Sequence, residues 1–309
     1  MKTVLILGIT GNFGLQMAMA LNSEGWKVKA LIRDVTKAPT WLNKEDCVIG
    51  SAQDKALLKQ ATEGVDMVVY AINPAYHQWK KEAMALLEPA VQVAEELGLR
   101  FLFPGNVYNF SPDATLISET AEMHPITEKG SIRVAMEARL KKASEQGALV
   151  TIVRAGDFLS PNMHFSWIDM ILKEKNGKFK MNFPHDDEHV HFWTYLPDLC
   201  ANTAKLMEMP QSSFEIWHDP GLALKRNDWQ RAFVAQDRTL QASSLAWWSF
   251  RLISPVAPVV REVLKMRYLW QQPVVLDGHK MKQALKGQLQ QTQLSEIIET
   301  LRPSKPKSA

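Results

Sequence analysis

The sequence predicts an α/β fold: a doubly wound, mostly parallel sheet joined to a smaller, mainly helical C-terminal lobe. Two observations carry this prediction. Short apolar runs alternate with longer segments of helical period through the first half of the chain, and a glycine-rich loop follows the first apolar run. Such short, continuous apolar runs are typical of strands buried on both faces, which is how strands lie in a parallel sheet.

The first half supplies the predicted sheet. Strands are predicted at the aliphatic runs, which are residues 4–7, 28–32, 48–49, 67–71, 101–103 and 150–153. Helices are predicted between them, at residues 13–23, 56–61, 81–97 and 128–144. Gly25 is well placed to cap the end of the first helix, whereas Pro89 predicts a kink in the third helix or the start of a second piece.

The pattern changes after about residue 154, where strands become sparse and Trp and Pro become frequent. Helices are predicted at residues 167–175, 198–207, 228–235 and 294–301. Residues 214–217 are apolar enough to return to the main sheet, so the two parts are expected to interlace. We therefore divide the chain into residues 1–154 and residues 155–309.

Composition excludes several classes of function. The chain has 309 residues, of which 46% are hydrophobic and 22% charged, as in soluble globular proteins. Its net charge of +3 is spread along the chain, so nucleic acid is not an expected partner. Only Cys47 and Cys200 are present, which is too few for a disulfide framework, and both are expected to be buried thiols in a reducing compartment.

No segment of the sequence is expected to span a membrane. The opening apolar run is too short for a signal peptide and ends at Gly8. Residues 245–260 are rich in Trp and aliphatic side chains, but Arg251, Pro255 and Pro258 interrupt them. We interpret this segment as a buried or homodimer-forming helix in preference to a membrane contact, and we expect a cytoplasmic protein.

The glycine-rich loop has the position and spacing of a phosphate-binding turn. Its glycines permit a tight turn and a close approach of backbone amides to a pyrophosphate, at the positive end of the helix that follows. The residues expected to hold a dinucleotide are Gly8, Thr10, Gly11, Asn12, Phe13 and Gly14.

The loop and the order of elements resemble the extended short-chain dehydrogenase/reductase family, the NAD(P)-dependent epimerase/dehydratase group. Further matches are Ala71-Ile72-Asn73-Pro74 after the fourth strand, Val107-Tyr108 after the fifth, and Tyr195-Leu196-Pro197-Asp198 in the second half. The resemblance implies a Rossmann-type NAD(P)-binding domain in residues 1–154 and a substrate pocket closed by residues 155–309. It also implies a cofactor contact at Asn73.

The end of the second strand determines which cofactor is expected. An acidic residue there would bind the adenosine ribose of NAD, whereas an arginine can pair with the 2′-phosphate of NADP. Ile32 occupies the usual acidic position and Arg33 follows it, with Lys37 as a second candidate cation. NADP is therefore favoured over NAD, and Asp34 is expected to cap a turn, although it could serve the ribose instead.

The family's catalytic residues are replaced in this sequence. The resemblance implies a Tyr-x-x-x-Lys pair on a helix and a Ser or Thr after the fifth strand. Those positions hold Lys129, Arg133 and Pro104, respectively. The replacement leaves cofactor binding intact but puts the family's ordinary acid–base mechanism in question.

Three alternatives follow from this replacement. Tyr76 or Tyr108 could donate a proton, since both lie near the carboxyl ends of strands. Lys129 could act instead, because Arg133 four residues along would favour its neutral amine. Together these cations would bind an anionic substrate, unless they are simply solvated on an exposed face. Finally, the protein could bind NADP(H) without catalysis and act as a redox sensor.

The remaining candidate residues follow the sixth strand or lie in a histidine-rich loop. Asp157, Phe158, Asn162 and His164 are expected to contact substrate. His185, His189 and His191 are interpreted as the rim of a polar pocket. His189 and His191 would share one face of a strand, but no third ligand at a recognisable metal spacing accompanies that pair. The sequence thus predicts an NAD(P)-dependent oxidoreductase or epimerase for a small carbonyl or hydroxyl compound.

Overall fold

The structure is a computed structural model, and it describes residues 1–111, 113, 116–161 and 166–301. The strands, in chain order, are β1 (Thr3–Leu7), β2 (Lys27–Ile32), β3 (Cys47–Ile49), β4 (Met67–Tyr70), β5 (Arg100–Gly105), β6 (Leu116–Ile117), β7 (Leu149–Arg154), β8 (Asp157–Leu159), β9 (Leu172–Lys175), β10 (Lys178–Phe183), β11 (His191–Tyr195), β12 (Phe214–His218), β13 (Leu222–Leu224), β14 (Leu240–Ser244) and β15 (Val275–Leu276).

The helices account for most of the remaining described chain. They are α1 (Asn12–Ser23), α2 (Lys55–Ala61), α3 (Trp79–Leu97), α4 (Glu128–Glu145), α5 (Trp167–Ile171), α6 (Leu196–Glu208), α7 (Arg226–Val234), α8 (Trp247–Ile253), α9 (Pro258–Lys265), α10 (His279–Ala284) and α11 (Leu294–Thr300).

The central sheet has seven strands in the order β12-β7-β5-β4-β1-β2-β3, and all of its pairings are parallel. The chain starts in the middle, builds outward through β2 and β3, and then returns to the other side of β1. The strand order therefore reverses between β1 and β4, and ligands of open α/β sheets bind at such a reversal. This is the Rossmann-type, doubly wound sheet that the sequence predicts.

Two apolar layers cover the sheet. On one face, α1 and α6 pack together around a core that includes Met17, Leu21 and Leu199. On the other face, α3 and α4 pack together and bury Leu87 and Leu140 against the strands. Pro89 lies inside α3, which runs without a break, so the alternative of a separate second helix is wrong. Burial of the flanking apolar face stabilises the helix across the one backbone hydrogen bond that proline removes.

The second half contains more strands than the sequence analysis expects. One three-stranded sheet has the order β14-β10-β9 and another has the order β13-β11-β8, while β12 returns to the central sheet as predicted. The predicted helix at residues 167–175 ends at Ile171, because the next four residues pair with β10 across an Asn176-Gly177 turn. Both turn residues have positive φ, 52° and 74°, as a tight hairpin turn requires.

The two cysteines differ from each other in burial. Cys200 is buried in α6 as expected, whereas Cys47 is only half-buried, because β3 is the edge strand of the sheet. Both are free thiols. In the part of the chain that the structure describes, the helices are all too short or too polar to cross a membrane.

Candidate active site

The glycine-rich loop connects β1 to α1 at the reversal of the central sheet. Gly8 has a φ of +95°, and its carbonyl oxygen accepts a hydrogen bond of 3.0 Å from the amide of Gly11. A Cβ atom at Gly8 would lie 2.8 Å from the carbonyl oxygen of Ala71, and one at Gly14 would collide with the carbonyl of Gly8. These two glycines are therefore required for the loop to pack against both β4 and α1.

The mouth of the loop is open to a ligand. Gly11 is the N-cap of α1 and has no side chain that could accept hydrogen bonds from the amides of the first turn. Thr10 and Gly11 are exposed, and Asn12 is half-buried. Backbone amides at a helix N-terminus without a capping side chain suit an anion, so the loop fits the pyrophosphate of a dinucleotide.

Phe13 and Phe158 bring the two halves of the chain together beside this loop. Phe13 is buried in α1, and its ring stacks on that of Phe158 in β8 with centroids 6.4 Å apart. A residue expected to bind cofactor thus contacts one expected to bind substrate. The structure therefore places β8 at the wall of the crevice.

Arg33 and Asp34 have different environments at the end of β2. The carboxylate of Asp34 accepts hydrogen bonds from the amide and hydroxyl of Thr36, at 3.0 and 2.7 Å, and so caps a short 3₁₀ turn. These bonds lower the pKa of Asp34. Arg33 is exposed and has no ion-pair partner within the described ranges. The expectation that Asp34 caps a turn is confirmed, and the buried Ile32 cannot contact a ribose by hydrogen bonding.

Tyr76 and Tyr108 form a hydrogen-bonded pair at the carboxyl ends of β4 and β5. Their hydroxyl oxygens are 2.7 Å apart, and Trp79 packs against both rings. The indole of Trp79 donates to the carbonyl of Pro74, at 2.9 Å, which fixes the segment that carries Tyr76. Burial raises the pKa of Tyr76 to about 12 and that of Tyr108 well above its ordinary value. Both phenols therefore keep their protons at neutral pH.

Lys129 is buried rather than exposed, so the alternative of a solvated cation is wrong for this residue. Its ammonium group pairs with the carboxylate of Glu262 from α9 and lies 5.1 Å from the centre of the Tyr76 ring. Burial opposes ionisation of Glu262, but its bonds with Lys129 and Lys265 hold its pKa below the ordinary value. The sequence places only the cation Arg133 near Lys129, whereas the structure also places a carboxylate against it.

Arg133 lies one turn along α4 among aromatic rings. Its guanidinium is 4.9 Å from the ring centre of Trp79 and 5.2 Å from that of Phe103. One of its nitrogens donates to the carbonyl of Pro104, at 3.1 Å. Among the described residues, no carboxylate forms an ion pair with Arg133, and no acceptor takes a hydrogen bond from its Nε. Of the two cations on α4, Lys129 and Arg133, Arg133 is therefore the one that is available to an anionic group.

A carboxylate–imidazole pair lies near the tyrosines. Asp157 of β8 and His191 of β11 are 2.8 Å apart, and the imidazole stacks on Trp270 with ring centres 3.5 Å apart. The negative charge of Asp157 reaches Tyr76 and Tyr108, where it adds to the effect of burial in raising their pKa. Asp157 is therefore close enough to the two tyrosines to act on them electrostatically, and its contact with a substrate stays a prediction.

The histidine-rich loop continues this polar wall. The ring of His185 lies 5.0 Å from that of His189 and 6.3 Å from that of His191. Burial lowers the pKa of His189 to about 4, so its ring is neutral at neutral pH. Within the described ranges, the structure has no group of three or more metal-binding side chains arranged to hold a metal ion.

The other predicted residues are not brought together as closely. Asn73 is exposed on the loop after β4, next to the Ala71-Ile72 backbone that Gly8 approaches. Asn162 and His164, the remaining expected substrate contacts, lie outside the described residues.

Comparison with known proteins decides the family. A model of the NmrA-like family matches residues 1–216, which is more than half of the chain. The chain belongs to the NmrA-like family. A search of curated protein sequences found no significant match to this NmrA-like protein.

Solved structures share its fold along nearly the whole chain. L-threonine dehydrogenase from Clostridium difficile has a TM-score of 0.74 at 16% identity, over 97% of this chain and 96% of that one. MoeE5 in complex with UDP-glucuronic acid and NAD has a TM-score of 0.72 at 14% identity, over 97% of both chains. A UDP-glucose 4-epimerase has a TM-score of 0.70 at 15% identity, over 97% and 96%. The Rossmann-type expectation is thereby confirmed.

Sequence reasoning about this NmrA-like protein missed three residues of the site. Glu262 and Trp270 come from the C-terminal lobe, far along the chain from their partners Lys129 and His191, and no spacing rule connects such pairs. For His191, the sequence indicates only a metal ligand or, in preference, the rim of a polar pocket. Its alternation with Trp193 in a run of aromatic and β-branched residues was the available signal for a buried strand.

Proposed function

We propose that this NmrA-like protein is an NADP(H)-dependent oxidoreductase that reduces a small carbonyl compound, with Tyr76 as the proton donor. The observation that carries the proposal is the hydroxyl–hydroxyl bond of 2.7 Å between Tyr76 and Tyr108 at the carboxyl edge of the sheet. Of the two, Tyr76 is half-buried and Tyr108 is buried, so Tyr76 is the member that substrate can reach.

The residues around the crevice support a dinucleotide. Gly8 and Gly14 permit the close packing of the loop, and Gly11 leaves the start of α1 open to a pyrophosphate. Structures with the same fold, such as MoeE5, hold NAD. In this chain, Arg33 is exposed at the position that reads the 2′-phosphate, while the carboxylate of Asp34 is engaged by Thr36. This difference favours NADP over NAD.

The chemistry of the tyrosine pair suits proton donation. A bound nicotinamide ring would exchange a hydride with the carbonyl carbon. Tyr76 would give its hydroxyl proton to the carbonyl oxygen, and the resulting phenolate would accept a hydrogen bond from Tyr108. The positive charge of Arg133, which opposes the effect of burial on the pKa of Tyr76, would stabilise that negative charge until water returns the proton.

The other groups of the site indicate which substrates fit. Arg133 lacks a carboxylate partner among the described side chains, whereas the charge of Lys129 is neutralised by Glu262. A single available cation beside the tyrosines favours a substrate that carries one anionic group. Asp157 and His191 would hydrogen-bond a hydroxyl or amide elsewhere on the same compound.

Turnover tests this proposal. We expect purified protein to oxidise NADPH in the presence of at least one member of a panel of small aldehydes, ketones and keto acids. Tyr76→Phe should lower kcat by about a hundredfold or more, the usual contribution of a general acid, with little change in KM. Tyr195→Phe is the matched control, because its hydroxyl bonds Thr300 instead. A Tyr76→Phe protein as active as the wild type would contradict the proposed role.

A second candidate is a protein that binds NADP(H) without catalysis and responds to it. The observation in its favour is that the replaced family positions bond to other parts of the protein: Arg133 to the Pro104 carbonyl and Lys129 to Glu262. The NmrA-like family also includes non-catalytic members. Stoichiometric oxidation of NADPH by any carbonyl in the panel would exclude this candidate, and binding without turnover would favour it.

A further inference from the structure

A hairpin of two short helices, α8 and α9, exposes large apolar side chains to solvent. The exposed fraction is 66% for Trp248, 72% for Leu252 and 49% for Ile253 in α8. It is 85% for Val256 in the connecting turn and 50% for Val259 in α9. The expectation that this segment is buried within the chain is therefore wrong. Exposed apolar side chains concentrated on one hairpin in this way mark an interaction surface.

The inner side of the hairpin is firmly packed. Trp247 is buried, its indole donates to the carbonyl of Pro184 at 2.8 Å, and its ring packs on Phe250 at 5.5 Å. The two helices also contact each other, and α9 contacts the turn that carries Tyr76. The exposed residues are thus held at the tip of an anchored structure, which presents them outward as a unit.

The charges around the tip are of one sign. Glu262 is the sole carboxylate in the sequence between Arg238 and Leu276, and it turns inward to pair with Lys129. Arg251 and Arg261 are exposed, and neither has an ion-pair partner in the part of the chain that the structure describes. The apolar patch is therefore bordered by unneutralised cations.

We propose that the α8–α9 hairpin docks onto the surface of an anionic lipid bilayer. Its helices have 7 and 8 residues, so they can lie in the interface but cannot span it. Trp248 suits the headgroup region, Leu252 and Val256 the acyl boundary, and Arg251 and Arg261 the anionic headgroups.

A second copy of the chain fits this surface less well. A twofold contact through the hairpin would place the same surface on both sides. It would bring the cations Arg251 and Arg261 of both copies into one contact, with no carboxylate of the hairpin left to neutralise them. An anionic membrane supplies the complementary charge that a second hairpin lacks. This inference does not depend on the proposed reaction.

Vesicle sedimentation tests the docking surface. The full chain should bind vesicles that contain phosphatidylserine more tightly than pure phosphatidylcholine vesicles, and added salt should weaken the binding. A W248S/L252S/V256S variant should bind more than about tenfold more weakly, since each side chain loses apolar contact with the bilayer. R251Q should weaken binding about fivefold on anionic vesicles only.

Two controls separate loss of docking from loss of folding. Val234→Ser removes an apolar side chain that is 70% exposed on α7, outside the hairpin, and should bind like the wild type. V256D changes only the turn between the helices, where no helix is interrupted, and should abolish binding while its melting temperature stays close to that of the wild type.

Three results would overturn the proposal. The wild type could fail to bind either kind of vesicle, or the triple variant could bind as tightly as the wild type. Light scattering could also find a wild-type dimer that becomes a monomer in the triple variant, which would make a second copy the occupant of the patch.

Discussion

At the scale of single residues, the proposed preference for NADP depends on the end of β2. Arg33 is exposed, while Asp34 is engaged by Thr36 and so has less capacity to accept from a ribose hydroxyl. Charge-assisted hydrogen bonds contribute about 1.5–3 kcal/mol each, more than a neutral bond to a ribose. The arginine should therefore dominate the choice of cofactor.

Removing this arginine should change the selectivity for cofactor. We expect Arg33→Ala to bind NADPH about ten- to a hundredfold more weakly and NADH unchanged, which follows from that energy. Titration of both dinucleotides by calorimetry measures the effect. Lys44→Ala, which removes an exposed cation after the same strand, is the control. Equal loss of both affinities, or no loss of either, would point to Asp34 instead.

At the scale of elements, the loop between β1 and α1 needs its glycines for two separate reasons. Gly14 must lack a Cβ because the carbonyl of Gly8 occupies that space, so it serves folding. Gly11 has an ordinary φ of −86°, and its Cβ would meet only the Gly8 oxygen at 3.4 Å, so we expect its role to lie in binding the ligand. Stability and binding should therefore respond differently to the same Gly→Ala change at the two positions.

The paired substitutions make this separation measurable. Gly14→Ala should lower the free energy of unfolding by about 1–3 kcal/mol, the usual effect of overpacking. Gly11→Ala should lower that free energy less, by the modest cost of alanine at an N-cap, yet weaken NADPH binding, because its methyl group would enter the proposed pyrophosphate site. Urea denaturation and calorimetry of both variants test this. The assignment fails if Gly11→Ala unfolds as easily as Gly14→Ala.

Elements differ in how much of them the sequence predicts. The inner strands of the central sheet are predicted to within a few residues, since each is an apolar run that is largely buried between the two helical layers. The sheet of β14, β10 and β9 is not predicted from the sequence, because β9 is a polar run, Leu-Lys-Glu-Lys, that resembles the end of a helix. The Asn176-Gly177 pair was the local signal that would have corrected this interpretation.

The residues of the candidate site likewise differ in how far the sequence predicts them. Tyr76, Tyr108 and Asp157 were predictable because each follows a strand of the sheet, and carboxyl ends of parallel strands meet at one edge. The ion pair of Lys129 was not predictable, because its partner Glu262 lies far from α4 in the sequence. Short-range rules predict which elements reach the crevice, but not which charges neutralise one another there.

At the scale of the whole molecule, a buried carboxyl links the central sheet to the C-terminal lobe. Asp219 follows β12 and accepts a hydrogen bond of 2.5 Å from the hydroxyl of Thr194 in β11. Burial raises its pKa from 3.8 to about 7. The unfolded chain loses this proton at lower pH than the folded chain, so the stability that neutral Asp219 supports is complete below about pH 4 and is lost as pH rises through about 7.

Asp219→Asn should therefore flatten the dependence of stability on pH. The free energy of unfolding of the wild type, relative to this variant, should fall between about pH 5 and about pH 8, on the order of 1 kcal/mol per pH unit up to the folded pKa. His189 and His218 titrate with the opposite sign, because burial lowers their pKa to about 4 and about 3, but they are common to both proteins.

Urea denaturation at the two pH values gives this difference directly. Asp237→Asn is the control, because its side chain is exposed and its positive φ of 51° suits asparagine as well as aspartate. If the difference between the wild type and Asp219→Asn is the same at both pH values, Asp219 does not titrate as its burial implies.

The measurement that tests the central claim most directly is a calorimetric titration of the wild-type chain with NADPH, because every role assigned to the crevice requires a dinucleotide held by the loop after β1. The account predicts one molecule of NADPH per chain, bound more tightly than NADH. The absence of any heat of binding for both dinucleotides would contradict it.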